Sequence, residues 1–115
     1  MRFKLILASV KTDLTDKIVD AAKAAGATGA TIIPARGTGI HEAKTFFGLT
    51  LEAQTDIIMF LLEEHLVSNI MDAIKKEGEF HKAGTGIAFV LPVEHVVGLE
   101  SQMEKFKEEV RESYF

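Results

Sequence analysis

One tetrapeptide occurs twice in this chain, as Gly37-Thr38-Gly39-Ile40 and as Gly84-Thr85-Gly86-Ile87. Glycine carries no Cβ, so successive backbone amides can turn inward and form a concave nest for an anion. A threonine hydroxyl adds one more donor. That chemistry suits a phosphate or another small anion. The same glycines also serve simply to turn the chain tightly at strand ends, and the motif by itself does not choose between the two roles. Neither copy completes a dinucleotide fingerprint, because Glu42 and Phe89 stand where the third glycine would fall. Neither is followed by the Gly-Lys-Ser/Thr of a Walker loop.

The other reactive side chains form weaker patterns. There are 4 histidines, His41, His65, His81 and His95, and no two share a helix at metal-ligand spacing. His41 with Glu42, and His81, lie in the two glycine-bearing segments and would have to meet in an assembly to bind an ion, which wants three or four placed ligands. No metal is expected. Ser9, Ser68, Ser101 and Ser113 lack a nucleophile-elbow setting. Glu63 and Glu64 stand at a helix start, where negative charge favours the helix dipole. Nothing here argues for an enzyme.

The elements that must position these loops can be read from periodicity. Phe3 to Ala8 alternates in the manner of a strand. Thr12 or Asp13 is placed to cap a helix carrying Leu14, Ile18, Ala21, Ala22 and Ala25, with Gly26 as its stop. Thr28 to Ala35 is β-branched and reads as a second strand. Arg36 to Gln54 follows neither period, holds three glycines and reads as one long loop, a length that in compact domains usually carries function. Thr55 to Leu62 is a third strand. Glu64 to Glu77 is a helix with Val67, Ile70, Met71 and Ile74 on one stripe, ended by Gly78, and Ile87 to Val93 is the last strand.

The order β-α-β-loop-β-α-loop-β predicts an α+β, ferredoxin-like βαββαβ antiparallel sheet with two helices on one face. Along the third strand Ile57, Met59 and Leu61 point one way and Ile58, Phe60 and Leu62 the other. Two helices cover only one of these apolar faces, so the other is expected to be buried between subunits.

Whole-chain properties narrow the class further. The length of 115 residues fits one domain, and the formal net charge of -4 argues against nucleic-acid binding. There are 0 cysteines, which excludes disulfides and thiolate metal sites. No apolar run is long enough to insert in a membrane, and a cytoplasmic location is expected. Beyond Leu99, the residues Met103, Phe106, Val110 and Tyr114 recur at helical spacing among mixed charges. The expected division is therefore residues 1–99 as the domain and 100–115 as an amphipathic C-terminal helix.

The two Gly-Thr-Gly loops, together with Phe89-Val90-Leu91-Pro92-Val93-Glu94 followed by His95-Val96-Val97, resemble the PII nitrogen-regulatory family. The resemblance spans about residues 2–99. It implies a homotrimer with three intersubunit clefts, each holding an adenine nucleotide (AMP, ADP or ATP) as effector. It also implies a long T-loop, about residues 37–54 here, that docks on a transporter or another membrane protein. Carried over by position, the cleft would be lined by Thr31, Gly37, Thr38, Gly39, Phe60, Leu61, Lys82, Gly84, Thr85, Gly86 and Ile87. Within the segment 37–54 the pair Phe46-Phe47 reads as an aromatic docking surface, with folding back onto the trimer as the equal alternative.

The chain also departs from the family pattern. Ile87 replaces the phosphate-binding lysine, and Gly98 and Glu100 stand where two arginines are usual. His41 replaces the T-loop glutamine, and the only tyrosine is Tyr114. These losses favour AMP, ADP or a cyclic adenine nucleotide at least as much as ATP and disfavour 2-oxoglutarate, with Lys82, Arg36 and Lys44 as partial replacements. The alternative reading is a trimeric metal-binding or structural protein of the divalent-cation-tolerance type, which shares the fold order.

Overall fold

The computed structural model describes residues 2–37, 45–46, 49–50, 53–82 and 84–99. Strand β1 (Phe3–Lys11) leads to helix α1 (Thr15–Ala24) and strand β2 (Thr31–Gly37). A two-residue ladder of β3 (Thr45–Phe46) and β4 (Leu49–Thr50) follows, then β5 (Ala53–Glu63), helix α2 (Val67–Glu77) and β6 (Gly86–Val93). The four long strands form one antiparallel sheet in the order β2-β5-β1-β6, the α+β arrangement expected from the periodicity.

Both helices are entered in the same way. A three-residue 3-10 turn, Thr12–Leu14 in the first half and Glu64–Leu66 in the second, joins strand to helix. The expected caps at Thr12 and Asp13 are not made, since neither the turn nor α1 has a side-chain cap hydrogen bond. The tighter turn bonds orphan amides internally and so takes over the work of a cap.

Both helices also end alike. At α1 the Ala27 amide donates to the Ala22 carbonyl at 3.0 Å and the Gly26 amide to Lys23 at 3.1 Å, with Gly26 at φ +123. At α2 the Phe80 amide donates to Lys75 at 3.1 Å and the Glu79 amide to Lys76 at 3.2 Å. This is the same doubly bonded helix end. Gly78 ends α2 as expected, and the left-handed residue is Glu79 at φ +56. Gly78 is required for space instead. A Cβ there would lie 2.5 Å from the Phe80 ring and 2.8 Å from the Ile74 carbonyl.

The expected loop over residues 36–54 contains more order than its side chains reveal. Strand β2 continues to Gly37 and β5 begins at Ala53, with Arg36 opposite Gln54 and Gly37 opposite Ala53. Beyond them Thr45 faces Thr50 and Phe46 faces Leu49. Ladder hydrogen bonds belong to the backbone, so they form where no period of two is written in the side chains. Conversely, β2 begins at Thr31 and not at Thr28.

The core lies between one sheet face and the helices. Ile6, Ala8 and Val10 of β1 and Ile58, Phe60 and Leu62 of β5 pack with Ile18, Val19 and Ala22 of α1 and Ile70 and Ile74 of α2. The opposite face is apolar and open. Its rows run Leu91–Leu5–Leu61, then Phe89–Leu7–Met59, then Ile87–Ser9–Ile57–Ile33. Leu61, Leu91, Ile33, Phe89 and Ile87 are 39 % to 61 % exposed in the single chain.

Phe60 is 0 % exposed at the centre of the covered face. Phe60→Ala is expected to lower the unfolding free energy by about 3–5 kcal/mol, read as a reduced urea midpoint at unchanged slope.

Candidate ligand-binding site

The second Gly-Thr-Gly segment closes a tight loop between α2 and β6. Thr85 is its brace. It is 4 % exposed, and its hydroxyl points at two backbone carbonyls, Glu79 at 2.8 Å and Lys82 at 2.9 Å. The Lys82 amide also donates to the Glu79 carbonyl at 2.9 Å. Above this backbone knot, Lys82 Nζ meets Glu79 Oε1 at 2.9 Å. That hydrogen bond, reinforced by the ammonium charge, holds the Glu79 carboxyl below its ordinary pKa.

Phe80 wedges the loop against the sheet. A Cβ on Gly86 would sit 2.5 Å from the Ser9 carbonyl and 2.8 Å from the Phe80 ring. Gly78 and Gly86 therefore flank the same ring, and bare α-carbons on both sides let the end of α2 approach the start of β6. Gly84 is different, with φ +77 and open space around it. Its glycine is demanded by conformation, while Gly86 is demanded by crowding.

The other expected site residues are distributed as follows. Thr31 begins β2, opposite Met59 and exposed. Gly37 ends β2 opposite Ala53. Leu61 is on the open face beside Leu5, and Ile87 projects from the edge strand with 61 % exposure. Phe60 is wholly buried under the helices, so only its backbone is offered to a ligand. Thr38, Gly39, His41, Lys44 and Phe47 lie outside the described residues, and Phe46 is in β3. His81 is exposed in the α2–β6 loop.

Gly37 and the Gly84–Gly86 loop lie at the same end of the sheet but on opposite edges, β2 and β6. Three strand spacings, about 14 Å, separate those edges within one chain. One subunit therefore does not bring Gly37 to the second Gly-Thr-Gly loop.

Residues 3–103 match the family model described as Nitrogen regulatory protein P-II. The chain belongs to the P-II family. Family members are regulatory proteins that form trimers, interact with partner proteins and usually bind adenine nucleotides. No curated protein matches the chain. Within this P-II chain Gly98 has φ +89, a backbone that a residue with a Cβ would adopt only with strain.

Two features of the site region escaped sequence reasoning. Phe80 carried a signal in its position two residues after Gly78, although helix periodicity does not show that the ring turns back. Asp56 interrupts an apolar strand, and it is 7 % exposed with its Oδ2 accepting the Thr15 hydroxyl at 2.6 Å.

Thr85→Val leaves the Glu79 and Lys82 carbonyls without the hydroxyl. It is expected to cost about 1–3 kcal/mol, with faster amide exchange across residues 79–86 than elsewhere. The Glu79–Lys82 contact gives a pH prediction. Because the folded carboxyl has the lower pKa, its stabilisation is present above the unfolded value and is lost as pH falls through the folded one. NMR titration should find Glu79 below a model peptide, and Lys82→Met should move it upward.

Proposed function

We propose that this P-II chain is a non-enzymatic sensor that binds an adenine nucleotide in clefts between the subunits of a homotrimer. It regulates a partner, expected to be a transporter or another membrane protein, through residues 37–54. The observation that carries this reading is the separation of Gly37 and the second Gly-Thr-Gly loop on opposite edges of a sheet whose second face is apolar. Packing three such faces together buries Leu61, Phe89 and Leu91 and brings the β2 edge of one subunit toward the β6 edge of the next. Each cleft then receives one motif from each side.

The nucleotide expected is one with few phosphates, or a cyclic one. Ile87 and Gly98 supply no cation, and each missing charge-assisted contact weakens a phosphate by about 1.5–3 kcal/mol. Lys82 is engaged by Glu79, and moving it to a phosphate would require breaking that pair. A cytoplasmic location fits this role, and no helix among the described residues is long and apolar enough to cross a membrane. Among the described residues no three His, Asp or Glu side chains are grouped as metal ligands, and His41 and Glu42 lie outside those residues.

Light scattering is expected to give three chains for the native protein and a smaller species for Phe89→Asp with Leu91→Asp. Adenine nucleotides are expected to raise the melting temperature of the native trimer. Ile87→Lys is expected to tighten ATP by about tenfold or more while changing AMP little. A native monomer, or a trimer indifferent to every adenine nucleotide both before and after Ile87→Lys, would sink the reading.

A further inference from the structure

Residues 78–86, which join α2 to β6, hold a single acidic side chain, Glu79. Its backbone is fixed from both sides. Toward the helix, its amide donates to the Lys76 carbonyl at 3.2 Å, with φ at +56. Toward the loop, its carbonyl accepts from the Lys82 amide at 2.9 Å and lies 2.8 Å from the Thr85 hydroxyl. The same hydroxyl lies 2.9 Å from the Lys82 carbonyl. One buried threonine thus braces the main chain at both Glu79 and Lys82, so the two charged side chains spring from fixed neighbouring points.

Those side chains meet at 2.9 Å. A carboxylate and a phosphate offer an ammonium the same thing, an oxygen that carries negative charge. Glu79 therefore occupies Lys82 in the way that a ligand phosphate would. Neighbouring cations do not replace it. Lys17 is already 3.3 Å from Glu77, and Ile87, the residue after Gly86, carries no charge. With His81 neutral, Glu79 and Lys82 cancel within residues 78–86, and removing the carboxylate would leave that stretch positive.

We propose that Glu79 is a specificity-determining residue of the nucleotide cleft, an internal competitor that holds Lys82 and so biases the loop against polyphosphates and toward nucleotides of low charge. The role rests on the nucleotide cleft of the proposed trimer. It assigns the preference to a side chain present in the loop, in addition to the cations missing from it. A ligand whose phosphate recruits Lys82 uses part of its own binding to break the pair. Its phosphates then face a carboxylate that the braced backbone keeps nearby. That repulsion grows with the charge of the ligand, so ATP is penalised more than AMP.

The test is calorimetric titration of the full chain with AMP and with ATP, using the native protein, Glu79→Gln, Lys82→Met and the double variant. Glutamine keeps the length of glutamate and removes its charge. Both positions are at the surface, so the variants are expected to fold. Glu79→Gln is expected to tighten ATP by about threefold or more at low ionic strength, with a smaller change for AMP, and added salt should shrink the gain. In the Lys82→Met background the same substitution should give a clearly smaller gain, because no cation is left to release. An ATP-to-AMP preference that Glu79→Gln leaves unchanged, or a gain of full size without Lys82, would overturn the proposal while the cleft stands. Absence of nucleotide binding from the native protein and all three variants would instead overturn the cleft, and this role of Glu79 with it.

Discussion

A single sheet with two apolar faces and only two helices is the constraint on which the rest of this protein depends. The helices consume one face, where Ile6, Ile58 and Phe60 are fully buried with Ile18, Ile70 and Ile74. The other face presents whole rows of leucine, isoleucine and phenylalanine across three or four strands. Apolar area on that scale is stabilised only by removal from water, and removal requires another surface of the same character. In the proposed trimer a second copy of the same chain supplies one, which links assembly to ligand binding.

The glycines around the α2–β6 loop serve the fold. Phe80 occupies the space that side chains on Gly78 and Gly86 would take, and Thr85 turns its hydroxyl inward to the loop backbone. The loop is therefore pre-shaped by its own packing. A pre-shaped loop loses little further freedom when it binds, which suits recognition through backbone amides. Its two charged side chains, Glu79 and Lys82, satisfy each other at the surface.

At the sheet end that carries residues 38–52, the covered face changes from apolar to polar at Asp56. The Thr15–Asp56 hydrogen bond ties the first residue of α1 to the beginning of β5. Helix and loop base are thereby joined by one short polar contact. Such a contact is costly to leave unmade when buried, and it specifies register in a way that interchangeable aliphatic contacts do not.

The fold was legible because its signals are local. Alternation in Phe3 to Ala8 and Thr55 to Leu62, the stripe Val67-Ile70-Met71-Ile74 and the order of elements all follow from each residue needing one buried side. The doubled apolar character of β5 and β6 made the open face readable as well. What escaped was non-local. The 3-10 turns that replace the Thr12 and Asp13 caps, the left-handed backbone at Glu79 and the ladder between Arg36 and Gln54 are set by neighbours distant in sequence or by backbone bonding that side-chain type does not encode. The same holds for the site. Two Gly-Thr-Gly motifs could be found by inspection, but their placement on opposite edges depends on strand order. Thr85 as a brace, Phe60 as core and Asp56 as a buried carboxylate depend on which way each side chain faces once the sheet is packed. The sequence alone determined the four long strands, the two helices and the two apolar faces of the sheet, because hydrophobic periodicity is a property of the chain. Only the tertiary structure decided which polar groups meet, because a hydrogen bond requires two atoms within about 3 Å, and packing alone brings Thr15 to Asp56 and Phe80 between its two glycines.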